Sequence, residues 1–120
     1  MKRWEVWNLK QDEARNETDP KQPNDASKPR RYYVVVSPDA FLSTSEVAVV
    51  VPIQTLSDGT SFSVKVHGKP SHAGIPFDSY ARATDYYTLK KRLFSKRIGG
   101  LSKAEIESLE FAMREYFQLF

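Results

Sequence analysis

Cysteine is absent from this chain, which removes disulfides, thiolate metal sites and a cysteine nucleophile together. Histidine occurs only twice, at His67 and His72. Neither sits at a spacing from carboxylates that would build a metal site, so no metal and no cofactor are expected. No window approaches the ~20 apolar residues that a membrane span needs. The opening "MKRWEVWNLK" lacks the apolar run of a signal peptide. A cytoplasmic protein without membrane contact is the expectation. Internal repeats and a second domain are also lacking, and 120 residues suffice for one domain with one core.

What is present is unevenly charged. The net charge is +3, yet "KKRLFSKR", residues 90–97, holds Lys90, Lys91, Arg92, Lys96 and Arg97 with no acid among them. Residues 102–120 are net acidic, with Glu105, Glu107, Glu110 and Glu115 against Lys103 and Arg114. Such local basicity suits an anionic partner, nucleic acid above all. On charge alone a solvated face is the simpler reading.

Residue alternation gives most of the elements. "RWEVWNL" sets Trp4 and Val6 against Glu5 and Trp7, as a short first strand would. Residues 11–30, "QDEARNETDPKQPNDASKPR", are polar and rich in Pro, Asn and Asp, which predicts a flexible loop longer than compact domains usually carry. "RRYYVVVS" follows, with Tyr32, Val34 and Val36 on one face and Tyr33, Val35 and Ser37 on the other, so both faces are expected to be buried. "SPDAFLS" reads as a helical turn with Ser37 as cap and Pro38 at the first helical position. "EVAVVVPIQT" reads as an apolar strand ending at Pro52. Asp58-Gly59 marks a turn. "SFSVKVHG" sends Phe62, Val64 and Val66 inward and Ser63, Lys65 and His67 outward. "KPSHAGIPFD" is a second loop, and "SYARATDYYTL" is again strand-like.

The last element is the clearest. "SKAE" at 102–105 is a capping box, in which Ser102 caps and Glu105 reaches back. Ile106, Leu109, Met113, Phe117 (or Tyr116) and Phe120 then recur at helical spacing. The predicted fold is mostly β with α: a small SH3-like barrel of about five to seven short strands with a C-terminal helix over 102–120.

"RWEVWNL…RRYYVVVSPDAFL…VAVVVPIQT…FSVKV…GIPFDSYARA…TL…KRIGGLS" resembles the MazF/PemK family of toxins from bacterial toxin–antitoxin pairs, within the Kid/CcdB superfamily. The likeness runs in order along nearly the whole chain. It implies a plasmid-maintenance-toxin barrel that forms a homodimer and pairs with a cognate antitoxin protein. It also implies an mRNA interferase, a metal-independent endoribonuclease that cuts single-stranded RNA at short sequences. In that chemistry the ribose 2′-hydroxyl attacks its own phosphate and leaves a 2′,3′-cyclic phosphate and a 5′-hydroxyl.

The resemblance assigns candidates residue by residue. Arg31 matches the family's arginine at the start of its second strand and is expected to hold the phosphate, since a guanidinium fork fits phosphate oxygens and stays protonated. Arg30 is expected as a peripheral backbone contact, or simply solvated. Arg82 matches a second catalytic arginine. Family members with that arginine carry an aspartate two residues later; here Thr84 stands there and Asp85 is one position off. A threonine hydroxyl is no base near neutrality. Therefore a bulge swings Asp85 round, another group takes the proton, or the protein cleaves poorly. Gln54 and Thr55, where the family has a single threonine, are expected to hydrogen-bond a phosphate or a base edge. His72, in a loop beside the site, is a candidate RNA contact. His67 is expected to be solvated. Tyr86 is a candidate stacking platform, while Trp4, Trp7, Tyr32 and Tyr33 read as core or dimer contacts.

Two further readings stand beside this one. A CcdB-like, non-enzymatic inhibitor of DNA gyrase would act through an aromatic C-terminal tip, and "EYFQLF" supplies one. A barrel that binds RNA but no longer cleaves it fits the threonine at position 84.

Overall fold

The computed structural model describes residues 1–10 and 32–118. The expected long loop, Arg30, Arg31 and Phe120 lie outside the described residues. Seven antiparallel strands form one sheet with a C-terminal helix: β1 (Glu5–Leu9), β2 (Tyr32–Val35), β3 (Val47–Gln54), β4 (Ser63–Val66), β5 (Ser79–Arg82), β6 (Tyr87–Lys90) and β7 (Phe94–Gly100). The described residues also form two helices, α1 (Asp39–Leu42) and α2 (Lys103–Phe117), and a 3₁₀ turn at Lys91–Leu93. The fold class is the expected one, with strands at the upper end of the expected number.

The ladder runs β4-β5-β3-β2-β1-β7, with β6 also on β3, and β4 does not pair with β7. The two ends are joined by a loop instead. The segment after β4 lies on β7, where Gly100 N donates to the His72 carbonyl at 3.0 Å.

Both faces of β2 and β3 are buried, as their continuous apolar composition predicts. Val34, Val36, Val51, Ile53, Val64 and Val66 join one core with Leu109 and Ala112 of α2. Tyr33, Val35, Ala48, Val50, Leu89, Leu93 and Phe94 form a second core on the opposite face. Each buried Val, Leu or Ile contributes about 1.5–3 kcal/mol. A one-residue slip of β2 would exchange the two sets, so burial on both sides fixes its register.

Three expectations are corrected. Trp4 is not part of the first strand: its φ is +71°, and its backbone is committed elsewhere, N to Val35 O at 2.7 Å and O to Leu101 N at 3.0 Å. The strand expected to end at Pro52 runs on to Gln54. On its outer side β3 changes neighbour, from β6 along Val47–Val50 to β5 at Ile53 and Gln54. The Val36 N–Val49 O bond fixes which side of β3 each residue addresses, and it turns Pro52 N toward that changeover. No ladder donor is required there, so proline is tolerated inside the strand.

The third correction follows from the second. "SYARATDYYTL" is two strands. Ile53 faces Ala81 while Val50 faces Tyr87, so three steps along β3 oppose six steps along the other chain. Three extra residues leave the ladder opposite Val51 and Pro52, and the segment between Arg82 and Tyr87 is a bulged turn. Thr84 and Asp85 are in it.

Candidate active site

The bulge builds the site. Arg82 closes β5 opposite Ser63 of β4, and Asp85 N donates to its carbonyl at 3.1 Å, which closes the turn. Thr84 Oγ1 donates to Asp85 Oδ1 at 3.2 Å, so Thr84 orients the carboxylate beside it. The Arg82 guanidinium faces the turn between β3 and β4. There Asp58 accepts from Ser63 Oγ at 2.6 Å, Thr60 Oγ1 at 2.7 Å and Thr60 N at 2.9 Å. The Ser63 and Thr60 hydrogen bonds, helped by the Arg82 charge, hold the Asp58 carboxyl down to about 2. Asp58 is therefore a fixed anion and no proton acceptor near neutrality.

Arg82 Nε is buried and has no hydrogen-bond partner among the described residues. Asp58 is satisfied by its own turn and does not take that donor up. An unmet buried donor costs about 1–3 kcal/mol, more on a charged group, and such an atom calls for a functional explanation.

Gln54 lies on the neighbouring strand, opposite Tyr80 and one residue beyond the Ile53–Ala81 pair. It is half-buried, and Thr55 beyond it is exposed. Gln54 thus closes the strand beside β5, and Thr55 follows directly after it. His72 is not brought to the turn. It is docked through its carbonyl on β7, and its loop joins β5 at the Ser79 end, away from Arg82. Arg30 and Arg31 lie outside the described residues; Tyr32, which follows Arg31, faces Ile53.

The Tyr86 ring packs on Tyr116, with centroids 6.1 Å apart, and on Phe117 at 5.0 Å; Tyr116 also meets Phe62 at 5.7 Å. Burial first, then the charges at Tyr116 and Asp85, push the Tyr86 phenol well above its ordinary value. It stays protonated and is no base. Tyr116 and Phe117 are 42 % and 50 % exposed, which corrects the expectation that Phe117 lies in a buried stripe. The helix buries Leu109 and Ala112, with Ile106 and Met113 partly covered.

Sequence reasoning missed the partner of His67. Glu105 completes the expected capping box, with Oε1 accepting from Ser102 N at 2.9 Å and Ser102 Oγ accepting from Glu105 N at 3.2 Å. Its second oxygen accepts from His67 N at 2.8 Å and meets His67 Nδ1 at 3.0 Å. His67 is therefore no merely solvated residue, because its Nδ1–H is held by a carboxylate 5 % exposed. The capping box marked Glu105, but nothing in the order of residues showed that the free edge of β4 would reach it. Between them β4 and α2 enclose a groove of about 730 Å³, bordered by Phe62, Lys65, His67, Phe111 and Glu115.

This carboxylate makes stability depend on acid. Burial raises the Glu105 pKa, but the hydrogen bonds from His67 and Ser102 outweigh it and leave it below the ordinary value. A carboxyl depressed on folding stabilises the native state above its unfolded pKa of about 4.3, and that contribution fades as pH falls through the folded value. Glu105→Gln should cost about 2 kcal/mol at pH 7, since hydrogen bonds to a charged acceptor are lost. The gap between variant and wild type should narrow below about pH 4. Thermal melts across that range check it; a gap that does not change with pH would refute the role.

Similarity to known proteins matches this architecture. Residues 2–117 fit the family described as PemK-like, MazF-like toxin of type II toxin-antitoxin system. No curated protein matches the chain. Among solved structures, an endoribonuclease from a mycobacterial species, in complex with its cognate antitoxin, superposes with a TM-score of 0.74 at 16% identity, over 100% of this chain and 97% of that one. The Mycobacterium tuberculosis toxin MazF-mt6 gives 0.72 at 17% identity, over 97% and 98%. MazF from Deinococcus radiodurans gives 0.72 at 14% identity, over 99% and 97%. At such identities the structures support the fold, and the family match over nearly the whole sequence settles the rest: the chain belongs to the PemK-like, MazF-like toxins of type II toxin–antitoxin systems.

Proposed function

We propose that this toxin is a metal-independent endoribonuclease acting on single-stranded RNA in the cytoplasm. The observation that carries the reading is the buried, unpaired Nε of Arg82 beside a turn that presents Thr84 and Asp85. A phosphate oxygen is the natural acceptor for that donor.

In the proposed reaction the substrate's 2′ oxygen attacks phosphorus and the bond from phosphorus to the 5′ oxygen breaks. The 2′ proton leaves to a base, and the departing 5′ oxygen takes a proton from water. Arg82 and Arg31 stabilise the charge that builds on the phosphorane oxygens, an effect strongest in a site that excludes water. Asp85 accepts the 2′ proton, oriented by Thr84; the bulge makes this assignment preferable to Thr84 itself. Gln54 and Thr55 contact a phosphate or a base edge. The Tyr86 ring offers a stacking face. Arg30 adds a peripheral backbone contact. A homodimer and a cognate antitoxin complete the reading, in line with the antitoxin complexes of mycobacterial and Deinococcus relatives.

The test uses purified protein, mixed-sequence single-stranded RNA and a chelator, with mapping of 5′-hydroxyl ends. Discrete ends that disappear in Asp85→Asn but persist in Thr84→Ala are expected. Absence of cleavage by the wild type would overturn the enzyme reading, and tight binding without product would mark a barrel that holds RNA only.

A second reading is favoured by one observation. Tyr116 and Phe117 form an exposed aromatic tip on α2, as an inhibitor of DNA gyrase acting through that tip would require. Deleting residues 116–120 should leave RNA cleavage intact if the nuclease reading holds. Loss of toxicity with cleavage retained would move the toxic function to this tip.

A further inference from the structure

We infer that the end of the sheet formed by β6 and the 3₁₀ turn is a second RNA contact, which binds the backbone phosphates flanking the cleavage site on the same strand. The inference rests on the nuclease reading only for the identity of the polyanion.

The run "KKRLFSKR" is folded so that cations and apolar residues separate. Leu89, Leu93 and Phe94 are at most 6 % exposed in the second core, while Lys90, Arg92 and Lys96 point to solvent. Lys10 is brought to the same end, its N donating to Leu93 O at 2.9 Å. Its Nζ donates to Arg92 O at 2.7 Å. Lys91 Nζ donates to the Leu42 carbonyl. Both ammonium groups are thus positioned by neutral carbonyls and keep their charge uncompensated. Lys90, Arg92 and Lys96 have no carboxylate partner among the described residues. Arg97, by contrast, is neutralised by Glu5 at 2.9 Å and is left out of the surface. A recess of about 500 Å³ lies between Lys90, Lys91, Arg92 and the segment Ser45–Val47, with Glu46 the acid on its rim.

This surface is not the Arg82 site. Lys90 faces Val47 at one end of β3 and Ala81 faces Ile53 near the other; Lys96, opposite Asn8 and so level with Tyr32 and Ile53, is left out of the surface. At about 3.3 Å per residue that separation is roughly 20 Å, about twice the screening length at physiological salt. A ligand touching both must be an extended chain of several nucleotides. A protein partner would need an aromatic or aliphatic anchor at the centre of the patch. Here every large apolar side chain of the run is turned inward. Charge without anchors suits a phosphate backbone, which adds affinity and no sequence information.

The test measures binding by fluorescence anisotropy from about 50 to 200 mM salt, with mixed-sequence single strands of about five and about 20 nucleotides. Wild type is compared with the double variant K90Q/R92Q. Two phosphates neutralised on a single strand add about 1.4 to the slope of log affinity against log salt, roughly a seven-fold extra loss over that range. The longer strand should show this extra slope with wild type and lose it with the variant, while the short strand binds both alike. An unchanged slope for the longer strand would overturn the inference. So would equal weakening of both lengths, which would place these cations inside the cleavage groove. A cation-dependent slope seen only with an RNA duplex would assign the surface to structured RNA and refute the flanking-strand reading. Failure of wild type to cut either strand would count against the nuclease reading alone, because the slopes are read from binding.

Discussion

Arg82→Ala should lower the rate of RNA cleavage by about 10²–10³-fold, the usual effect of removing one preorganised donor to a developing oxyanion. Its melting temperature should fall by no more than a few degrees, within about 1 kcal/mol. The two effects separate because of how the side chain is held. Removing a paired arginine would strand a carboxylate, which is strongly destabilising. Asp58, the acid that Arg82 faces, keeps its three hydrogen bonds from Ser63 and Thr60 when Arg82 is gone. The buried Nε has no partner to abandon among the described residues. Arg82→Lys supplies a point charge without the planar fork and should recover only part of the rate. Rates by single-turnover cleavage and stability by thermal melts decide the matter. If Arg82→Ala cleaves at the wild-type rate, or loses rate only by unfolding, the guanidinium has no part in the chemistry.

The same residue shows what the order of amino acids revealed and what it concealed. Arg82 was visible through its resemblance to a family position, but alternation put it inside one continuous strand, whereas it closes β5. The geometry of its neighbours was not readable. Alternation assumes an unbroken ladder, and it put Thr84 on the side of Arg82 with Asp85 on the other. Pro52 breaks that assumption from across the sheet. It stands where β3 exchanges β6 for β5, and the residues ejected opposite it are those whose placement decides which group accepts a proton. A proline more than thirty residues away in sequence thereby sets the presentation of Asp85, a long-range effect that no local window contains.

His67 and Phe117 teach a related lesson. Both were read from one element at a time. Outward alternation on β4 suggested a solvated His67, yet the outward side of an edge strand still has a neighbour, and here it is the first turn of α2. Helical spacing put Phe117 in the apolar stripe, but Tyr116 and Phe117 stay half exposed and pack on Phe62, on Tyr86 and on each other. By contrast, the two-sided burial of β2 and β3, the capping box at Ser102 and the turn at Asp58-Gly59 were all legible. Each depends on residues adjacent in sequence or on a pattern repeated over a whole strand.

Gly74→Ala and Gly99→Ala are each expected to cost about 3 kcal/mol: overpacking carries about 1–3 kcal/mol, and at Gly74 a disfavoured backbone adds to it. A Cβ on Gly74 would sit 2.1 Å from the Ile98 carbonyl oxygen, at a φ of +76°. A Cβ on Gly99 would sit 2.3 Å from the carbonyl oxygens of both Ala73 and His72. The obstructing atoms are backbone, so no side chain can turn aside to make room. They also lie where the loop after β4 docks on β7 and joins the two ends of an open ladder. Gly59→Ala provides the comparison: its φ is +84° with no atom within 4 Å of the added carbon, so only the conformational cost of about 1 kcal/mol remains. Melting should fall by roughly 10 °C for the first two substitutions and by a few degrees for the third. The double variant G74A/G99A should lose less than the sum of its parts, because the first substitution already lifts the loop that the second would strike. Below the melting temperature both single variants should still cleave RNA, as the Arg82 turn is carried by the other end of β5. Melting of Gly74→Ala alongside Gly59→Ala would mean that the loop adjusts freely on β7, and the joint between the two ends of the sheet would then have to be sought elsewhere.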